Sequence, residues 1–361
     1  MNKQKEMTAF ISSVGADERQ PLNISDNSIS EKTGKINDLE TISMTELYDT
    51  IYPSKPPLID GLLYTGTYLF VSAPKLGKSF LMAQLAYHIS TEMPLWDYTV
   101  RKGTVLYLAL EDDYRRLQER LYRMFGTDST DNLFFSFSAD SLGNGLDAQL
   151  QRFMQEHADT SLIIIDTLQK VREVGRDNYS YANDYEIITR LKQFADKYGI
   201  CILLVHHTRK QTADDKFDMI SGTTGLLGAA DGAFLLQKEK RTSNAATLEV
   251  SGRDQQDQKL YLNRNTETLL WELERAETEL WKEPSDPLLE KIAQLFSSGS
   301  NEWTGTPTEL CSILQLDIQP NALTRKLNIN AGRLFNEYGI RYENSRSRNE
   351  RKVKLSRLEQ V

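Results

Sequence analysis

The chain has 361 residues, of which 39% are hydrophobic and 26% charged, and its formal net charge is −8. Such a chain carries one large domain and one or two small ones around packed cores, and its charge excludes a uniformly basic nucleic-acid coat while allowing a local basic patch. No apolar run approaches the roughly 18 residues of a membrane span, the N-terminus lacks a secretory apolar stretch, and two distant cysteines, Cys201 and Cys311, fit a reducing cytoplasm.

In chain order, residues 1–43 are polar and nearly free of aromatics, which predicts a flexible arm. The stretch 44–275 opens with a short helix and a proline-stiffened strap, "MTELYDTIYPSKPPLI". Six apolar, β-rich runs then alternate with helical patterns: "YLFVSA", "TVLYLAL", "NLFFSFS", "SLIIIDT", "CILLVHH" and "GAFLLQK". Continuous apolar runs separated by helices predict an α/β fold with a mostly parallel sheet covered on both faces. After Asp231, "TLEVSGR", "KLYLNRN" and "LLWELE" alternate instead, which predicts antiparallel strands added at one edge. Residues 276–286 form a linker. Residues 287–361 show three or four short helices and a charged hairpin, the pattern of a small winged-helix-like domain.

The first motif with chemistry is "SAPKLGKSF", Ser72 to Phe80, between an apolar strand and a helix that places Leu81, Met82, Leu85 and Ile89 on one side. A strand, a Gly-Lys-Ser turn and a helix make a phosphate loop, because backbone N–H groups and the helix N-terminus cradle anions. The expected ATP contacts are Ser72, Ala73, Pro74, Lys75, Leu76, Gly77, Lys78, Ser79 and Phe80. Lys78 would reach the outer phosphates and Ser79 would bind Mg2+. Position 72 usually holds Gly, so Ser72 is a departure.

Asp166 ends the run "SLIIID" and is the second expected Mg2+ residue. Glu111 follows "TVLYLAL" and is the expected base that orients or deprotonates water, with Asp113 capping the next helix. His206 and His207 end another run, and either one could sense the γ-phosphate. Arg253, between two alternating strands, could reach a neighbouring subunit's phosphate in trans. Candidate DNA contacts are Lys170, Arg172, Arg176, Arg209, Lys210 and Lys216 in two loops after strands, and Arg333, Arg346, Arg348, Arg351 and Lys352 near the C-terminus.

Taken together and in order, "SAPKLGKS", "VLYLALED", "LIIIDT", "ILLVHHTRK", "ISGTTGLLGAAD" and "SGRD" resemble a RepA-like (AAA_25-type) RecA-fold P-loop ATPase, related to hexameric DnaB-type replicative helicases of plasmids and mobile elements. The resemblance implies ATP and Mg2+ at subunit interfaces of a homo-oligomeric ring. It also implies loops around 167–183 and 209–224 that face a central channel for single-stranded DNA. It points to a cytoplasmic, ATP-hydrolysing helicase or translocase. An ATP-switched initiator or regulator, or a helicase loader, is the alternative, because the C-terminal domain lies outside the resemblance and could contact duplex.

Overall fold

The computed structural model describes residues 41–52, 56–172, 181–208, 216–220, 224–238, 240, 242–253, 255–277, 285–296, 301–346 and 351–357. Residues 1–40 of the arm expected over 1–43 and most of the linker expected over 276–286 lie outside them. The chain divides into Met1–Leu47 and Tyr48–Val361, and the architecture below belongs, from Tyr48 on, to the second unit.

A short helix, α1 (Met44–Asp49), leads in. Then follow β1 (Gly66–Ser72), α2 (Lys78–Thr91), β2 (Thr104–Ala109), α3 (Tyr114–Phe125), β3 (Leu133–Ser136), α4 (Leu146–Glu156), β4 (Thr160–Asp166), α5 (Leu168–Val171), α6 (Tyr181–Tyr198), β5 (Cys201–His207), α7 (Thr224–Ala229) and β6 (Gly232–Gln237). Three further strands complete the region: β7 (Ala245–Gly252), β8 (Gln258–Arg264) and β9 (Trp271–Ala276). These strands form one nine-stranded sheet in the order β3-β2-β4-β5-β1-β6-β7-β8-β9. The pairs among β1 to β6 are parallel and those from β6 to β9 are antiparallel. The expected α/β architecture is therefore present, a RecA-type mostly parallel sheet with antiparallel edge strands.

Strand alternation divides the core into two layers, since successive side chains point to opposite faces. Phe70, Tyr107, Ile164, Val205 and Phe234 pack on the face that α2 and α3 cover. Val71, Leu108, Ile165, Leu204 and Leu235 pack on the other, with Leu150 of α4, Leu191 of α6 and Leu226 of α7. The helix α2 is less amphipathic than its sequence suggests. Besides Leu81, Met82, Leu85 and Ile89, it buries Ala83, Gln84, Ala86, Tyr87 and Ser90. The reason is that it meets β1, β2, α3 and the edge strand β9 at once.

The C-terminal stretch forms α8 (Pro287–Leu295), β10 (Glu302–Gly305), α9 (Pro307–Ile313), α10 (Pro320–Ile329), α11 (Ala331–Tyr338), β11 (Ile340–Arg346) and β12 (Arg351–Arg357). Its antiparallel sheet runs β10-β12-β11 and has its own core, including Leu289, Leu310, Leu323, Val353 and Leu355. Two helix starts follow local rules: Asp286 accepts from Leu288 N–H at 2.8 Å, and Thr306 with Glu309 forms a capping box. The sequence reading contains no strand at β10, whose "EWTG" offers one large apolar residue; its pairing to β12 creates it, with Trp303 opposite Leu355. Ile51, from the expected strap, packs on this C-terminal core, and Tyr48 O accepts from Asn328 Nδ2 at 2.9 Å. Among the described residues, no helix is long and apolar enough to cross a membrane.

Candidate active site

The C-terminal ends of parallel strands gather loops and helix N-termini at one edge, where anionic ligands bind. Here that edge receives Ser72 from β1, Asp166 from β4 and His207 from β5, and Glu111 two residues after β2. The order β2-β4-β5-β1 sets them side by side: Ser72 is in register with His207, and Ala109 with Asp166.

Between β1 and α2 the backbone turns through left-handed conformations at Lys75 (φ 66°) and Gly77 (φ 101°). Gly77 caps α2 without a side chain. A Cβ there would stand 3.2 Å from Trp271 Cζ2 and 3.4 Å from Arg264 Nη1, so glycine serves both the angle and the space. This answers the concern raised by Ser72. The serine is buried at the end of β1, its hydroxyl bonded to Ala73 O at 3.0 Å, upstream of the tight turn.

Lys78 is 6% exposed. Its Nζ donates to the carbonyls of Ser72 (3.3 Å) and Ala73 (3.4 Å) and lies 3.0 Å from His207 Nδ1. An ammonium can only donate, so Nδ1 accepts and the imidazole proton sits on Nε2. Burial, followed by the Lys78 charge, holds the His207 pKa below its ordinary value. Burial also lowers that of Lys78, against the pull of Asp166 and Glu111.

Asp166 accepts two hydrogen bonds on Oδ2, from Ser79 Oγ and Tyr107 OH, each 2.8 Å. Burial raises its pKa, and those two bonds oppose the rise. A buried carboxylate whose ionised form is disfavoured, paired with a hydroxyl at the first turn of α2, fits a hard divalent cation with oxygen ligands. Glu111 is exposed and tied to this group by Thr167, whose Oγ1 donates to Glu111 Oε1 at 3.2 Å. Its neighbours do other work. Asp113 accepts from Arg116 N–H at 2.9 Å and caps α3, as expected, while Asp112 pairs with Arg120 at 2.5 Å.

The two histidines part company by strand alternation. His207 falls on the face of Val205, toward α2 and Lys78, whereas His206 falls on the face of Leu204 and is buried. Arg253 does not join this cluster. It follows β7, whose Gly252 is in register with Gly232, and Gly232 pairs with Tyr68 at the opposite end of β1 from Ser72. Four residues of strand, about 13 Å at ~3.3 Å each, separate the two edges. The exposed Arg253 side chain donates to Gly228 O at 3.0 Å.

The expected DNA contacts meet different fates. Arg172 is a correction: it is 6% exposed and forms an ion pair of 2.9 Å with fully buried Asp184, so its charge is spent inside the fold. Lys170 and Lys352 are exposed. Arg333 pairs with Glu337 at 2.7 Å and Arg351 with Asp49 at 3.6 Å. Arg341 and Lys354 also meet acids, Glu343 and Glu302, so the hairpin's field is weaker than its count of basic residues. Arg176, Arg209, Lys210 and Arg348 lie outside the described residues, as do the side chains of Lys216 and Arg346 and most of the expected channel loops.

Sequence reasoning missed Tyr107, Thr167, Arg264 and Trp271. A tyrosine inside the otherwise aliphatic run "TVLYLAL" was a signal for the first, since a buried hydroxyl needs a partner. The other three depend on contacts between segments far apart in sequence.

The AAA domain family (AAA_25) matches residues 30–213, just over half of the chain. The chain belongs to that family. It is a P-loop ATPase, and its site has the loop, hydroxyl and carboxylate that Mg-ATP requires. Solved structures related to this AAA-domain chain share low identity. One is an ATPase domain (14% identity, TM-score 0.49, 58% of this chain and 84% of that one). Another is a DnaB-like replicative helicase described with its interactions with primase (17%, TM-score 0.46, 58% of each chain). A third is a KaiC-like protein from Pyrococcus horikoshii OT3 (14%, TM-score 0.45, 62% and 99%). No curated protein matches this AAA-domain chain in sequence.

Proposed function

We propose that the protein is a ring-forming, ATP-hydrolysing DNA helicase or translocase acting in the cytoplasm in replication of a plasmid or mobile element. One observation carries the reading: the hydrolytic groups converge at one sheet edge, and Arg253 stands at the other. A subunit's own site lacks that cation, and a second copy in a closed ring, in this reading a hexamer, supplies it in trans. Ser79 and Asp166 would hold Mg2+, which would supply charge neutralisation at the phosphates. Lys78 leaves His207 for the outer phosphates. Glu111, steadied by Thr167, orients the attacking water and accepts its proton. His207, relieved of Lys78, reports the state of the γ-phosphate to the segment that follows β5.

For the nucleic acid, support comes from exposed Lys170 after β4 and from the basic stretches after β4 and β5 in the sequence. The order helix, strand, three helices, two strands in the C-terminal sheet domain supports a winged-helix reading and a duplex contact there, through Lys352 and the basic hairpin tip.

The test compares wild type, Lys78→Ala and Glu111→Gln in ATPase and fork-unwinding assays, with and without single-stranded DNA. Expected are hydrolysis stimulated by single strands, loss in both variants, and retained ATP binding in Glu111→Gln. Hydrolysis with duplex binding but no unwinding would instead establish the ATP-switched initiator. Undiminished hydrolysis by Glu111→Gln would remove Glu111 as the base.

A further inference from the structure

The phosphate-loop edge carries a half-buried cation, Arg264, that the reading above leaves idle. Antiparallel β8 and β9 bring Arg264 and Trp271 to the same edge as Gly77. The Arg264 guanidinium lies 4.0 Å from the Phe80 ring centroid and 6.0 Å from that of Trp271. Trp271 is itself fixed: its Nε1 donates to Gly77 O at 3.4 Å, and its backbone is bonded twice to Gln84, at 2.9 Å each.

The neighbouring cations are engaged. Arg120 pairs with Asp112 at 2.5 Å, Arg123 donates to the carbonyls of Thr266 and Glu267 at 2.8 Å, and Lys238 donates to Ser243 O at 2.8 Å. Arg264 has a 3.4 Å bond from Nε to Leu269 O, and among the described residues no carboxylate pairs with it. It is half-buried. Burial and then the like charges of Arg123 and Arg120 lower its pKa. A guanidinium held in such company is costly without an anion, and its fork suits a phosphate.

We propose that Arg264 is a positioning residue for the nucleotide of its own subunit, pairing with the inner phosphate next to the ribose. Lys78 points the other way, to His207 at the end of β5, on the side of β1 where β4 brings Asp166 and where the outer phosphates belong. Arg264 approaches over Gly77 and Phe80, at the first turn of α2, where the phosphate chain continues toward the sugar. Phe80 and Trp271 fix the plane of the fork, so little side-chain freedom is lost on binding. This inference rests on the ATPase reading of the site.

The test measures equilibrium binding of ATP and of ADP, and steady-state kcat and KM, for the full chain as wild type, Arg264→Ala and Arg264→Lys. Both dissociation constants should rise about 10- to 100-fold in Arg264→Ala, the value of a charge-assisted bond to phosphate. Their ratio should hold, because ATP and ADP share the inner phosphate. The kcat at saturating ATP should stay within about twofold, a split that general loosening of the fold would not give. Arg264→Lys should recover part of the affinity, and should Arg264→Ala melt early, the Lys variant decides by the same ratio. Unchanged binding by Arg264→Ala, or a loss confined to ATP, overturns the proposal. Failure of wild type to bind either nucleotide overturns the ATPase reading instead.

Discussion

Replacing Gln84 by Leu tests how the edge strands support the phosphate loop. Gln84 is 4% exposed, and its amide acts as a rung between α2 and β9. Its Nε2 donates to Trp271 O and its Oε1 accepts from Trp271 N–H, both at 2.9 Å. Leucine keeps the volume but removes both bonds. Trp271 O retains a donor, Trp96 Nε1 at 2.7 Å, whereas the buried Trp271 N–H loses its 2.9 Å acceptor. An unmet buried donor costs about 1–3 kcal/mol, and a lost neutral bond about 1 kcal/mol, so Gln84→Leu should destabilise by about 2–4 kcal/mol. At about 2–4 °C per kcal/mol, Tm falls by roughly 4–16 °C. Because Trp271 also touches Gly77, KM for ATP should rise while residual ATPase remains. Thermal unfolding followed by circular dichroism, with ATPase kinetics below the transition, reads both effects. A Tm within about 1 °C of wild type would refute the assignment of Gln84 as a structural rung.

Three further outcomes follow from the same geometry. Burial raises the Asp166 pKa above its ordinary 3.8, so its ionised form at neutral pH is held against the fold's preference. Asp166→Asn should therefore match or exceed wild-type Tm in chelator, yet gain nothing from Mg2+ with ADP, as thermal melts will show. For His207 the folded pKa lies below the ordinary 6.5. The unfolded chain then binds more protons, so this stability is present above 6.5 and drains away as pH falls through the folded value; His207→Asn should flatten a Tm-against-pH curve in that window. Asp184→Ala strands the buried Arg172 charge and should cost about 3–5 kcal/mol in denaturant unfolding, while the exposed Lys170→Ala should leave stability unchanged.

The sheet and most of the loop that serves it are legible in the order of residues alone. Six apolar runs announced parallel strands because a strand covered on both faces needs apolar residues at every position, and the alternating runs after Asp231 announced the antiparallel edge. Gly77, Lys78 and Ser79 were legible because phosphate binding is local: a tight turn and a helix N-terminus, all within one stretch of chain. Asp166 and Glu111 were legible as strand-end acids, since parallel strands deliver their ends to a common edge. The tertiary structure decided what depends on neighbours. Strand order and register chose His207 over His206 as the partner of Lys78, and set Arg253 at the far edge. Burial converted Arg172 from an expected surface contact into half of an interior ion pair. The Arg264–Phe80–Trp271 group joins residues almost two hundred positions apart, and no periodicity in a chain encodes that distance. It arises only when an antiparallel edge strand folds back over the loop, and burial then fixes which charges find a partner inside the fold.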